Sequence, residues 1–184
     1  METTLTTSVT DFAEVIQSMA QQVFSTMLGL ELANGVVEPV NSTAIPDAGI
    51  VAMVGIAGAV SGNVNIRISN ELSCILASRL LMMEYREVNE DVLDAIAELA
   101  NMIVGGLKTN LEDRFGAMGL SLPTVISAGH YIARSPSMGQ RFSISFQCPH
   151  ENGCDSFNIQ ICLLSEKSSH SYLRELAELH SKLA

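Results

Sequence analysis

The stretch Asp94-Ala-Ile-Ala-Glu98-Leu-Ala-Asn101-Met-Ile-Val-Gly105 carries the strongest structural signal in the chain. Its apolar residues recur at three and four, as on one face of an amphipathic helix. The pattern predicts a long helix from about Glu90 to Phe115, with Asn89 as its N-cap. At about 100° per residue, Val92, Ile96, Leu99, Ile103 and Leu107 gather on one side, and Leu93, Ala100, Val104 and Leu111 widen that stripe. Asp94, Glu98, Asn101, Gly105, Lys108 and Glu112 collect on the other side. Asn is a mediocre helix-interior residue, and each glycine of Gly105-Gly106 costs about 1 kcal/mol relative to Ala. Two readings of that face follow. It is a solvated surface with a glycine pair packed on a strand behind it, or a surface lowered so that another molecule can approach. A carboxylate and a carboxamide one turn apart suit the docking of a cation and the aiming of a water.

Working outward, Phe12, Val15, Ile16, Met19, Val23, Phe24 and Met27 give a second long helix over about Asp11 to Leu30. Val36 to Ala44 is strand-like, and Pro46-Asp47 marks a turn. Ile50–Ile56 and Asn63–Ser69 pair as a hairpin through Gly58 to Gly62. Glu71 to Met83 is a short helix. Strands are expected over Ser121–Ser127, Tyr131–Arg134, Gln140–Cys148 and Ser156–Ser165, then a terminal helix from about Glu166 to Leu183. The order of long helix then strands occurs twice, which suggests an internal duplication. Asp11-Phe-Ala-Glu-Val-Ile-Gln-Ser-Met19 lies over Asp94–Met102 with Asp on Asp and Met on Met, but Val15 and Ser18 then stand where Glu98 and Asn101 do. A shift of one residue pairs Glu14 and Gln17 with them instead, as a second or relic site. Both registers, and a chance likeness of two amphipathic helices, stay open at this point.

With 184 residues, 47% hydrophobic and a mean hydropathy of +0.28, the chain suits one domain with a sizeable core. Met1 to Thr10, rich in Thr and Ser, read as a flexible lead, and 11–184 as the domain. Its pseudo-repeats fall at about 11–88 and 89–165, followed by the terminal helix at about 166–183. A formal charge of −10 and a pI near 4.7 argue against nucleic acid, whose phosphates require a basic patch. The same charge favours a protein partner with exposed Lys or Arg. No apolar run approaches the length of a membrane span, and no secretory signal is visible. Four cysteines are too few for a disulfide scaffold, so a cytoplasmic location with reduced thiols is expected. Cys148-Pro-His150-Glu-Asn-Gly-Cys154, with Cys162 nearby, invites a zinc or redox reading, but its spacing fits no standard finger. Asn152-Gly153 between alternating runs is a hairpin-tip signal, and that reading is preferred.

Asp94-x3-Glu98-x2-Asn101, with Pro123 roughly twenty-two positions after the Asn, resembles the motif of the CheC/CheX chemotaxis phosphatases. Neighbouring text agrees. Glu98-Leu-Ala-Asn-Met-Ile-Val-Gly105 followed by Lys108-Thr109 resembles the CheX helix. Phe24-Ser-Thr-Met-Leu-Gly29, Val54-Gly-Ile-Ala-Gly58 with Ser61-Gly62, and Leu122-Pro-Thr-Val-Ile126 resemble family landmarks in the family order. The likeness runs from about residue 11 to 165, and Gly106 departs from it where CheX-like sequences often have Asn. It implies an α+β, CheC-like fold: two pseudo-repeated helix-plus-strand halves sharing one mixed β-sheet, with the long helices packed on one face. It also implies hydrolysis of the aspartyl phosphate on a CheY-type response regulator. Only the second helix carries the motif cleanly, so the CheX side of the family is the closer match. By the resemblance, Asn101 orients the attacking water and Glu98 docks a regulator Lys, while Asp94, Gly105, Lys108 and Pro123 support docking. No metal or cofactor of its own is implied; Mg²⁺ is expected on the regulator, and a homodimer is expected. Two alternatives compete: a non-catalytic dimeric module that binds a regulator or a chemotaxis receptor component, and a Cys/His metal-binding domain.

Overall fold

The computed structural model describes residues 3–40, 49–128 and 139–164. Chain order is α1 (Thr3–Val23), a single π turn (Phe24–Leu28), β1 (Val36–Pro39), β2 (Gly49–Gly58), β3 (Ser61–Ile68), α2 (Asn70–Leu81), α3 (Glu90–Phe115), β4 (Met118–Leu120), β5 (Thr124–Ala128), β6 (Gly139–His150) and β7 (Gly153–Leu164). The strands form one sheet in the order β1-β6-β7-β3-β2-β4, with β5 also on β2, and every described pair is antiparallel.

Period-two alternation decides which face is covered. Ile50, Ala52 and Val54 lie opposite Ile68, Ile66 and Val64. Val64 and Ile66 in turn face Ile161 and Ile159, and Phe142 and Phe146 face Ile161 and Phe157. All of these are buried. They form a continuous apolar face; α1 touches the sheet at β6, and α2 and α3 touch it at β2. The opposite face carries Asn63, Asn65, Arg67, Asn158 and Gln160, partly tied together by Arg67 Nη2 donating to Gln160 Oε1 at 3.1 Å and Ser145 Oγ to Asn158 Oδ1 at 2.6 Å.

The strand order reads alike from both ends. β3 and β7, the last strands of the two halves, meet at the centre, and β2 and β6 flank them. The outermost strand on each side comes from the other half: β1 pairs with β6, and β4 and β5 pair with β2. This is the expected α+β arrangement of two pseudo-repeated halves, with the sheet antiparallel in every described pair where a mixed one was expected.

Several local expectations shift. α1 reaches back to Thr3, through the Thr/Ser-rich lead, because extending an existing helix is far easier than nucleating one. Its far end passes into the π turn and closes at Gly29 in the left-handed region (φ 62). β1 ends at Pro39 on the sheet edge, where a residue without an N–H is tolerated. β4 has no signal in the sequence; three residues are too few to show a period. The β6–β7 turn is Glu151-Asn152, since His150 pairs with Gly153, so the tip lies one residue earlier than Asn152-Gly153. The turn at Pro46-Asp47, the strand at 131–134 and the helix at 166–183 lie outside the described residues.

Candidate functional site on the long helix

α3 runs from Glu90 to Phe115, and Asn89 caps it: its side-chain oxygen accepts from Val92 N at 3.0 Å. Glu90 and Asp91 stand in the first turn, where negative charge complements the helix dipole. Val92, Ala95, Ile96, Leu99, Ala100, Ile103, Val104, Leu107 and Leu111 are buried. Burial on that side turns Asp94, Glu98 and Asn101 to solvent, and all three are exposed. Among the described residues no hydrogen bond or ion pair engages their side chains. Glu98 and Asn101 stand three residues apart, so they are surface neighbours on a backbone fixed from beneath. The site therefore offers a free carboxylate beside a free carboxamide, an acceptor next to a group that donates and accepts at once.

The glycine pair has two different settings. A β-carbon at Gly106 would collide with the Met19 side chain of α1, so this glycine lets two helices approach. It packs against a helix, then, and not against the strand considered from the sequence. Among the described residues, a β-carbon at Gly105 would meet nothing within 4 Å, so none of them requires a glycine there.

Further along, the polar stripe rotates into the protein. Lys108 Nζ lies 3.0 Å from Glu112 Oε2, and Glu112 Oε1 accepts from Met118 N at 3.0 Å. The backbone bond to Met118, followed by the one to Lys108, holds the Glu112 carboxyl below its ordinary range. These two residues fasten the end of α3 to the start of β4. Pro123 stands between β4 and β5 on the sheet edge, not on the helix face. The structure thus brings Asp94, Glu98, Asn101 and Gly105 into one open row, and turns Lys108, one turn further on, to Glu112.

Burial matches one helix register better than the other, although the shifted one also sets buried Phe12, Ile16, Ala20 and Val23 on buried Ile96, Ala100, Val104 and Leu107. With Asp11 on Asp94, the buried Phe12, Ala13, Ile16 and Ala20 of α1 and Phe24 of the π turn fall on Ala95, Ile96, Leu99, Ile103 and Leu107, all buried, while buried Val23 falls on half-buried Gly106. In that register Val15 and Ser18 occupy the positions of Glu98 and Asn101. The shifted register would set buried Ala13 against the half-buried Ala97, and buried Phe24 against the half-buried Lys108.

At the hairpin tip, Cys148 is buried on the core face, whereas Cys154 belongs to the alternate positions of β7 and is exposed. His150 is engaged locally: Nε2 lies 3.1 Å from Asp155 Oδ2, and Nδ1 accepts from Asn152 N at 3.3 Å. Among the described residues no group of three or more His, Cys, Asp or Glu is placed to hold a metal. Burial raises the Cys148 thiol to about 11. One residue missed from the sequence extends the open row. Asp91, one turn before Asp94 on the same face, accepts from Tyr85 OH at 3.2 Å. Its spacing was the available signal.

The profile of the family described as chemotaxis phosphatase CheX matches residues 50–147. A CheY-P phosphatase CheX of Thermotoga maritima is 31% identical over 119 residues, 62% of this chain and 76% of the relative. The crystal structure of the chemotaxis protein CheX from Vibrio vulnificus superposes with a TM-score of 0.71 at 25% identity, covering 83% of this chain and 98% of that one. The Borrelia burgdorferi CheX, described in a complex with CheY, BeF3 and Mg²⁺, gives a TM-score of 0.69 at 22% identity, covering 84% of this chain and 98% of that one.

Proposed function

The chain belongs to the chemotaxis phosphatase CheX family, and from that premise we propose that it hydrolyses the aspartyl phosphate of a CheY-type response regulator. Asn101 orients the attacking water and Glu98 docks a regulator Lys. The observation that supports these roles is the exposed pair of Glu98 and Asn101, without partners among the described residues, on a helix face held rigid by its buried side. A T. maritima relative named for this activity and a B. burgdorferi relative in complex with CheY and Mg²⁺ supply the substrate class.

An acyl phosphate on a regulator carries its own metal and charged pocket. What hydrolysis lacks there is a water held in line. Phosphoryl transfer is mostly positioning and charge stabilisation, so a well-placed carboxamide suffices as the added group. The Asn101 amide accepts from the water and donates to the phosphoryl oxygens without titrating. Water oxygen bonds to phosphorus, the bond from phosphorus to the aspartyl oxygen breaks, and carboxylate and inorganic phosphate leave. The water proton goes to the phosphate. Glu98 accepts a charge-assisted bond from the Lys beside the phosphoryl group and so fixes the register of the two proteins. Asp94 adds negative charge to the docking row, and Gly105 leaves room for the partner's backbone. Lys108 and Pro123 support the face indirectly, Lys108 through Glu112. Mg²⁺ belongs to the regulator, a homodimer is the expected assembly, and the substrate places the reaction in the cytoplasm.

The test is phosphate release from an acetyl-phosphate-charged regulator, comparing wild type with Asn101→Ala. Most of the acceleration is expected to be lost, roughly a hundredfold or more by analogy with other single positioning groups, with binding retained. A wild-type protein that binds a regulator without accelerating release on any of the organism's regulators would establish the non-catalytic interaction module instead.

A further inference from the structure

The α2–α3 connection presents an apolar feature that the proposed chemistry does not use. Met82 closes α2 in the left-handed region (φ 55, ψ 35), with its N–H bonded to Ser78 O. It is the only positive-φ residue other than glycine among those described. Glycine is the undemanding residue for such a cap, and any side chain there is strained. Yet the Met82 side chain buries almost nothing: it is 93% exposed, with Met83 at 61% and Leu81 at 40%. A strained, exposed methionine does nothing for the fold that glycine would not do better.

The connection is rigid. Ser78 O also accepts from Met83 N at 3.2 Å, and Ser78 Oγ accepts from Tyr85 N at 2.9 Å. Tyr85 and Val88 pack against the core. The connection is also continuous with the open row of α3. The Tyr85 hydroxyl donates to Asp91 and lies 4.0 Å from Met83 Sδ. From Asp91 the row continues through Asp94 and Glu98 to Asn101, about 15 Å along the helix axis. An adaptable, polarizable thioether pair therefore stands at one end of the proposed docking row, beside the exposed carboxylates Glu87 and Glu90 and the exposed ion pair of Glu84 with Arg86 at 2.8 Å.

We infer that Met82 and Met83 are the apolar anchor of the regulator-docking surface, seated in an apolar pocket of the regulator that is rimmed by Lys or Arg. This rests on the regulator reading given above. Met enrichment and a preformed loop suit an interface anchor, since little ordering entropy is lost on binding. With Arg86 offset by Glu84, the net charge left by Glu87, Glu90 and the open row is negative and selects a basic rim. Glu98 and Asn101 then act at the phosphoryl group while the methionines hold the far end of the contact.

The probe is the CheY-type regulator that wild type binds most tightly, charged with BeF3⁻ and Mg²⁺ and titrated calorimetrically. Met82→Gly, Met83→Ser and the double variant are compared with wild type. Met82→Gly is expected to unfold no earlier than wild type, because the cap strain is relieved. The double variant is expected to raise Kd about tenfold, and the rise is expected to persist at high ionic strength, where contacts to Asp94 and Glu98 weaken. An unchanged Kd for the double variant overturns the inference while leaving the proposed function standing. A double variant that changes the oligomeric state but not Kd also overturns it, by assigning the patch to a second copy of this chain. Failure of wild type to bind any charged regulator overturns both.

Discussion

Substituting Gly105 by Ala separates what the helix wants from what a partner needs. Inside a helix, Ala is more favourable than Gly by about 1 kcal/mol. At Gly105 the new methyl meets nothing within 4 Å among the described residues, so no clash with them offsets that gain. For a chain of this length, about 1 kcal/mol raises the melting temperature by roughly 2–4 °C. The protein should therefore be more stable and less active. The methyl enters a row one turn beyond Asn101, where the proposed partner backbone lies close. Overpacking there costs about 1–3 kcal/mol of docking, or roughly five- to 150-fold in affinity. Thermal unfolding and phosphate release from a charged regulator, measured on one preparation, read both effects. Gly106→Ala is the control. Its methyl meets Met19, including Cγ at 3.0 Å, so the propensity gain is opposed by repacking. That variant should be less stable than Gly105→Ala by about 1–2 kcal/mol. A Gly105→Ala protein that is stabilised and fully active would refute the close-approach account.

Other outcomes follow from single contacts. Asn89→Ala removes the cap on Val92 N and should destabilise the fold by about 1 kcal/mol in urea unfolding, with m unchanged. Glu112 has a folded-state pKa below its ordinary value of 4.5, so its contribution is fully present above that value and is lost as pH falls through the folded pKa. Unfolding midpoints over the acid range should accordingly fall less steeply for Glu112→Gln than for wild type; parallel curves would show that the Met118 and Lys108 contacts carry no weight. Cys154 is exposed while Cys148 is buried with its thiol raised to about 11. Alkylation at mildly alkaline pH should label Cys154 and spare Cys148, as mass mapping would report.

The parts of the molecule that were legible in the sequence are those whose signal is local. α3 showed both its ends, because Asn89 directly precedes an unbroken 3.6-residue pattern that continues to Phe115. The β2–β3 hairpin was readable because its signal is local too, an apolar run before a glycine-flanked turn and alternation after it. β4 was not, since three residues paired on β2 are defined by their partner alone. The turn at Glu151-Asn152 was misplaced by one residue because Asn-Gly signals a tight turn without saying whether the glycine lies in it or starts the next strand. Within the site, the open row of Asp94, Glu98 and Asn101 followed from helical periodicity. The difference between Gly105 and Gly106 did not, because it depends on where Met19 of a distant helix comes to rest. Lys108 and Glu112 have the spacing of an i,i+4 pair, but their tie to Met118 exists only once β4 has folded back.

α3 meets two opposed demands by dividing its outer stripe along its length. Positioning a water requires a carboxamide that is free of internal partners and yet does not wander. Exposure supplies the first condition and burial the second, and on a helix both hold at adjacent residues: Ala100 is buried while Asn101 is exposed. The same stripe must also anchor the helix to the sheet that follows, which uses up polar groups. The chain assigns that task to Lys108 and Glu112, one to two turns past Gly105, where the stripe has turned inward. Had the ion pair fallen two turns nearer the N-terminus, its lysine would compete with the regulator for Glu98. Moving the cation into the open half, by Asn101→Lys, is therefore expected to stabilise the helix through an i,i+3 contact with Glu98 of about 0.2–0.5 kcal/mol and to weaken docking, both by that competition and by repulsion of the regulator Lys. An unchanged affinity for the regulator in calorimetric titration of this variant would show that Glu98 is not the docking carboxylate.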